Sequence, residues 1–198
     1  MLYLIRHCST SENESGILCS DKDFDLSEKG QQQGNKLSQW FADKKIDLIL
    51  TSNLQRAKQT SGFISSATKA EVKEFSELTE RNVGGNYSNL RLKELKEIRS
   101  KENQKYFDPT QDWKNVSEVE SDETVFERTK NVLQKYFATD KNLACVTHAG
   151  VIKAFLHSVF QMDKSRSNAF KVRNGCVLVF QNENDFEHLQ LTGIYQLQ

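Results

Sequence analysis

The sequence predicts one α/β domain built on a mostly parallel sheet, and two observations lead there. Short apolar runs rich in Leu, Ile and Val alternate with longer stretches of helical period. The chain length of 198 residues suits a single domain with room for a core and a cleft, without disulfide staples. No internal repeat, low-complexity tract or linker breaks the pattern.

The elements follow in order. Residues 2–5 form the first strand. Ser27, followed by Glu28 and Lys29, opens a helix in which Leu37, Trp40 and Phe41 share a face, and residues 47–50 form the second strand. A second helix holds Leu54, Ala57, Ser61 and Ile64. Residues 72–75 read as a strand leading into a glycine-containing loop over 79–89. From Leu90 to about Glu120 the sequence is charged and irregular, with an amphipathic piece around Leu95 and Ile98 and the single proline, Pro109; it reads as an insertion over one face. Residues 121–137 are the clearest helix, because Val125, Phe126, Thr129, Val132, Leu133, Tyr136 and Phe137 recur at three and four. A strand over 143–146 and an apolar helix from Gly150 to Phe160 come next. The chain ends in a hairpin of residues 176–180 and 186–191 across the turn at 182–184.

Composition excludes several classes of partner. Lys plus Arg and Asp plus Glu both total 27, so no global field steers the chain onto nucleic acid or an anionic lipid surface. No apolar run approaches the roughly 20 residues of a membrane span, and MLYLIRHCST has no signal-peptide pattern. The expectation is a cytoplasmic protein with no membrane or nucleic-acid partner. Cys8, Cys19, Cys145 and Cys176 show neither a Cys-x-x-Cys nor a zinc-like spacing, so free thiols are expected. The sequence leaves a homodimer open.

The most informative pattern is positional. The run LYLI ends in Arg6 and His7, LILT leads to Arg56, EVKEF leads to Glu80, and LACVT ends in His148. Ligands of open α/β sheets bind at the carboxyl edge of the strands, so two arginines, two histidines and a glutamate converge on one crevice. That set suffices for phosphoryl transfer. Two guanidiniums and an imidazolium, from Arg6, Arg56 and His148, would stabilise the charge spread over the equatorial oxygens, and arginine offers a planar fork that matches phosphate. His7, unprotonated, would attack phosphorus and form a phosphohistidine that water later hydrolyses. Glu80 would give a proton to the leaving oxygen and later take one from water. No metal or other cofactor enters this scheme.

Residues 4–175 resemble the histidine phosphatase, or phosphoglycerate mutase-like, superfamily. The matching motifs are LIRHCSTSEN with Arg6, His7, Thr10 and Asn13, then DLSEKGQQQ, SNLQRAKQT with Arg56, LTERNVGG with Glu80, and VTHAG with His148. The resemblance implies a three-layer α/β/α sandwich with a mostly parallel mixed sheet. It also implies phosphate contacts from Thr10 and Asn13 beside Arg6, Arg56, His148 and the following Ala149, and a substrate-selecting cap at about 80–120 within a single domain, 1–198. It departs from the family at Cys8, where glycine is usual. A glycine there can serve a special backbone angle or a close ligand approach, so Cys8 puts turnover in question.

Other phosphate chemistries fail at the motif level. The positions six residues after each cysteine are Glu14, Asp25, Val151 and Asn182 rather than Arg, and there is no Gly-x-x-x-x-Gly-Lys loop. Asp23-Phe-Asp25-Leu-Ser27 follows a polar stretch and reads as a solvated loop before a helix cap. The expectation is therefore a metal-independent hydrolase of small phosphate monoesters, in the manner of the shorter, α-ribazole phosphatase-like branch. A phosphoglycerate mutase-type transfer and a non-catalytic phosphoester-binding module are its rivals.

Overall fold

Strand β1 (Leu2–Arg6) is apolar on both faces, and this decides the layering. Successive strand side chains point to opposite sides. Leu2 and Leu4 join a cluster with Leu133, Phe155 and Phe180, while Tyr3 and Ile5 join another with Leu37, Phe41 and Ile64. A strand buried on both sides needs helices on both, and the fold is the expected three-layer α/β/α sandwich.

The computed structural model describes residues 1–20, 22–83, 90–91, 94, 119–137, 141–162, 170–182 and 186–197. After β1 come α1 (Ser11–Glu14), α2 (Glu28–Phe41), β2 (Leu48–Ser52), α3 (Gln55–Thr68), β3 (Glu71–Phe75) and a 3-10 turn at Ser76–Leu78. They are followed by α4 (Asp122–Phe137), β4 (Leu143–Thr147), α5 (Ala149–Val159), β5 (Cys176–Asn182), a second 3-10 turn at Phe186–His188 and β6 (Leu189–Gln196). The sheet order is β3-β2-β4-β1-β5-β6. Strands β1 to β4 run parallel, and β5 and β6 complete the sheet antiparallel. Helices α2 and α3 cover one face, and α4 and α5 the other.

Most elements lie where periodicity puts them, with two differences. Residues 186–188 wind into a 3-10 turn instead of extending, because Phe186 turns inward to meet the rings of Phe137 and Phe155 at 5.9 and 5.8 Å. The last strand therefore starts at Leu189 and runs on to Gln196. Helix α1 was not expected, since four residues are too few to show a period; it rests on a capping box in which Thr10 and Asn13 bond each other's backbone. Most of the charged cap, including residues 95–118, lies outside the described residues, as does the turn at 183–185.

Parallel pairing brings the carboxyl ends of β1, β2, β3 and β4 to one edge. The loop after β1 is fastened there from four sides. The His7 N–H donates to the Thr147 carbonyl (2.9 Å), the Cys8 N–H to Thr60 Oγ1 (3.0 Å) and the Ser9 N–H to Gln33 Oε1 (2.8 Å), while the Ser9 carbonyl accepts from the Ser27 N–H (3.0 Å). Gly30 makes this docking feasible, because a Cβ there would lie 2.1 Å from the Ser9 carbonyl oxygen. The DLSEKGQQQ motif thus forms the platform beneath His7.

A paired substitution tests this docking. Gly30→Ala is expected to destabilise the protein by about 1–3 kcal/mol, through forced backbone movement. Gly62→Ala, at a helical position with nothing within 4 Å of the new Cβ, is expected to be neutral or to stabilise by up to about 1 kcal/mol. Urea unfolding of both variants measures the contrast, and equal effects would refute the docking role.

Candidate active site

A cavity of about 410 Å³ opens at the carboxyl edge of the parallel strands, lined by Arg6, His7, Asn13, Arg56, Glu80, Ala149, Gly150 and Asn174, among others. The lining residues arrive from several elements. Arg6 ends β1 and His7 follows it, Arg56 lies in the first turn of α3, Glu80 follows the first 3-10 turn, and Ala149 starts α5. Thr147 Oγ1 donates to the Leu78 carbonyl (2.7 Å), tying the end of β4 to the turn that delivers Glu80.

His7 is buried, and its Nδ1 lies 2.7 Å from the Cys8 carbonyl oxygen. A carbonyl only accepts, so Nδ1 carries the proton and Nε2 keeps its lone pair. His148, at the N-cap of α5, places its ring centroid 5.0 Å from that of His7. Its Nε2 meets Ser52 Oγ at 2.9 Å, and its Nδ1 is buried without a hydrogen-bond partner. Burial first, and then the charges of Arg6 and Arg56, hold His7 well below the ordinary imidazole range. Burial, and then Arg56, His7 and Arg6, do the same to His148. Both rings are therefore neutral near pH 7, because burial first and the neighbouring cations second disfavour a further positive charge.

Backbone carbonyls accept from both arginines. Arg56, 1 % exposed, donates to the Ser20 carbonyl (2.8 Å) and the Lys22 carbonyl (2.5 Å). Arg6 Nη1 donates to the Val172 carbonyl (2.7 Å), and its Nε is buried without a partner. Glu80 Oε1 accepts from the N–H groups of Arg81 (2.9 Å) and Gly150 (3.0 Å). A Cβ at Gly150 would stand 2.4 Å from that oxygen, so only glycine lets the carboxylate rest on the start of α5.

The weaker candidates divide. Asn13 lines the cavity, and its Oδ1 accepts from Asn174 Nδ2 (2.9 Å). Thr10 is fully buried as the cap of α1, outside the cavity lining. Cys8 also lies outside it: the residue packs with Ile5, Leu37 and Ile64 on the α2–α3 side, and burial pushes its thiol up to about 12. The positive-φ residues other than glycine are Ser20, Lys69 and Gln161 among those described. Cys8 therefore needs no glycine-like backbone and takes no space from a ligand.

Sequence reasoning missed Asn174, whose Nδ2 also donates to the His7 carbonyl (3.1 Å). It also missed a buried trio on the cavity wall, in which Asp122 bonds Arg81 through one oxygen and His157 Nδ1 through the other (3.1 Å). Burial alone would raise the Asp122 carboxyl, but the hydrogen bond from His157 and then Arg81 hold it below its usual range. One signal was readable: Gly150, Lys153 and His157 are spaced to share a face of an otherwise apolar helix. Among the described residues, no three His, Cys, Asp or Glu side chains are placed to hold a metal ion, and no helix is long and apolar enough to cross a membrane.

The two neutral histidines make stability depend on pH. An unfolded chain protonates them near 6.5, whereas the folded chain keeps them neutral to well below that value. The unfolded state thus binds more protons as pH falls, so this stabilisation is present above about 6.5 and is lost below it. The melting temperature is expected to fall between about pH 7 and about pH 5, less steeply in His148→Gln. An identical slope in wild type and variant would contradict this.

Known proteins place this architecture. The sequence profile of the histidine phosphatase superfamily (branch 1) matches residues 2–194. The chain is similar to the adenosylcobalamin/alpha-ribazole phosphatase of Salmonella typhimurium, with 24 % identity covering 88 % of this chain and 87 % of the relative. It is also similar to the metal-independent phosphoserine phosphatase of Arabidopsis thaliana, with 26 % identity covering 98 % and 85 %. The crystal structure of a phosphoserine phosphatase from Entamoeba histolytica, in complex with 3-phosphoglyceric acid, superposes with a TM-score of 0.78 at 25 % identity, covering 100 % of this chain and 97 % of the other. The chain belongs to the histidine phosphatase superfamily, and it is a phosphatase, a phosphoric monoester hydrolase.

Proposed function

We propose that this phosphatase hydrolyses small-molecule phosphate monoesters through a covalent phosphohistidine on His7, with no metal ion in the reaction. The observation that carries the reading is the His7 ring, neutral and anchored at Nδ1 to the Cys8 carbonyl, which leaves the Nε2 lone pair as the nucleophile.

In the first step Nε2 attacks phosphorus, the ester P–O bond breaks, and Glu80 gives the departing oxygen its proton. Arg6, Arg56 and His148 surround the equatorial oxygens, and His148 takes the proton of the arriving phosphate monoanion and returns it to phosphate as the product leaves. In the second step water attacks the phosphohistidine, Glu80 takes the proton from that water, and phosphate leaves with His7 restored. Asn13 supports the phosphate from α1, and Thr10 contributes through the cap that holds α1 in place. Ala149, a small residue on the cavity wall, leaves space for the acceptor water. The relatives are named for phosphoserine and for alpha-ribazole, which supports a small monoester in the cavity of about 410 Å³.

Hydrolysis of an aryl phosphate at mildly acidic pH is expected to survive a chelator and to drop by about three orders of magnitude or more in His7→Ala. Quenching the wild type during turnover should trap an acid-labile, base-stable phosphoprotein; failure to trap it, with turnover intact, would reject the covalent route. Phosphoglycerate, added as substrate, should release free phosphate rather than isomerise.

Leaving-group dependence probes Glu80. Glu80→Gln is expected to slow alkyl phosphates by about 10²–10⁴-fold while leaving aryl phosphates far less affected, because an activated phenolate needs little protonation. Gly150→Ala should reproduce the same bias in a milder form, by displacing the Glu80 carboxylate. Equal losses on both substrate types would remove Glu80 from the proton-transfer role.

A further inference from the structure

A second depression, of about 600 Å³, shares Arg6 and Asn174 with the catalytic cavity and lies between α2 and the segment leading into β5. Five cations line it, Arg6, Lys29, Lys36, Lys171 and Arg173, and no described carboxylate does. In a chain of zero formal net charge this is a local concentration of one sign. Elsewhere on the surface lysines pair with neighbouring acids, as in Lys44–Asp43, Lys45–Asp47, Lys58–Glu74 and Lys73–Glu71. Lys29, Lys171 and Arg173 form no ion pair with any described residue.

A buried donor joins them. Gln33 is 8 % exposed, and its side-chain oxygen accepts the Ser9 N–H. Its amide nitrogen, a donor only, bonds no described residue. The wall is thus rich in donors and positive charge, which selects a ligand made of acceptor oxygens. Cations spread over 600 Å³ cannot all reach one phosphate group, so linked phosphoryl groups match them better. A concave basin also suits a compact anion better than an extended backbone.

We propose that this depression binds a small anion carrying two or more linked phosphoryl groups, at a site separate from the cavity of His7. Because Arg6 lines both cavities, an anion here weakens the attraction of its guanidinium for the phosphoester. Occupancy therefore raises KM without contacting the substrate.

The test is calorimetric titration of the full chain with tripolyphosphate while orthovanadate saturates the catalytic cavity. The expected result is one-to-one binding that persists with vanadate and weakens at least about tenfold, as for loss of charge-assisted hydrogen bonds, in Lys171→Glu/Arg173→Glu and in Lys29→Glu. Each of these variants should keep the wild-type melting profile and the kcat for an aryl phosphate. In kinetics, tripolyphosphate should raise KM to a plateau. A nucleoside triphosphate sensitive to the same charge reversals also supports the site and identifies the phosphoryl chain as the shared determinant. Complete displacement by vanadate, a KM that climbs without limit, or affinity unchanged by the reversals would overturn the proposal. So would a short oligonucleotide that binds more tightly than tripolyphosphate with the same sensitivity.

Discussion

Two largely buried guanidiniums, each held by backbone carbonyls, set the terms of this molecule. Removing a cation from water is costly unless hydrogen bonds replace the lost hydration. Here backbone carbonyls do so: Ser20 and Lys22 hold Arg56, and Val172 holds Arg6. A carbonyl satisfies a terminal donor of each without itself carrying a formal charge. The field that remains favours an anion and adds to the effect of burial in keeping His7 and His148 neutral.

The scaffold is organised around that demand. Ser20 adopts a left-handed backbone, φ 44°, at the point where its carbonyl meets Arg56. The loop carrying His7 has N–H groups bonded to β4, α2 and α3, so few degrees of freedom are left to its backbone. Preorganisation of this kind is what electrostatic catalysis requires, since groups already aimed at the developing charge need no rearrangement during the reaction. Cys8 belongs to the same scaffold. Its N–H bonds Thr60 and its thiol fills the apolar layer beneath the sheet, which removes the conflict with the family glycine that its position in sequence had raised.

How far function was legible depended on how local each signal was. Arg6, His7, Arg56, Glu80 and His148 each stand at or just beyond the end of an apolar run, and the carboxyl-edge rule for parallel sheets brings such ends together. Four of them line the cavity, and the ring of His148 meets that of His7. The Asp122, Arg81 and His157 trio offered no comparable clue. Its members are scattered along the chain, and only the packing of α4 on α5 beside the segment that follows the first 3-10 turn unites them. Asn174 was invisible for the same reason, since its value lies in reaching the His7 carbonyl across 167 positions.

The sequence by itself determined the α/β class, the placement of most strands and helices, and the polar groups that gather at the carboxyl edge of the parallel strands, because hydrophobic period and strand-end chemistry are local properties. Tertiary structure alone decided the charge state of both histidines, the inward packing of Cys8, the support of Glu80 by Gly150 and the second basic depression. Each of these depends on burial and on charges brought together from distant segments. Desolvation and Coulomb energy are functions of the folded arrangement, and no reading of neighbouring residues can supply them.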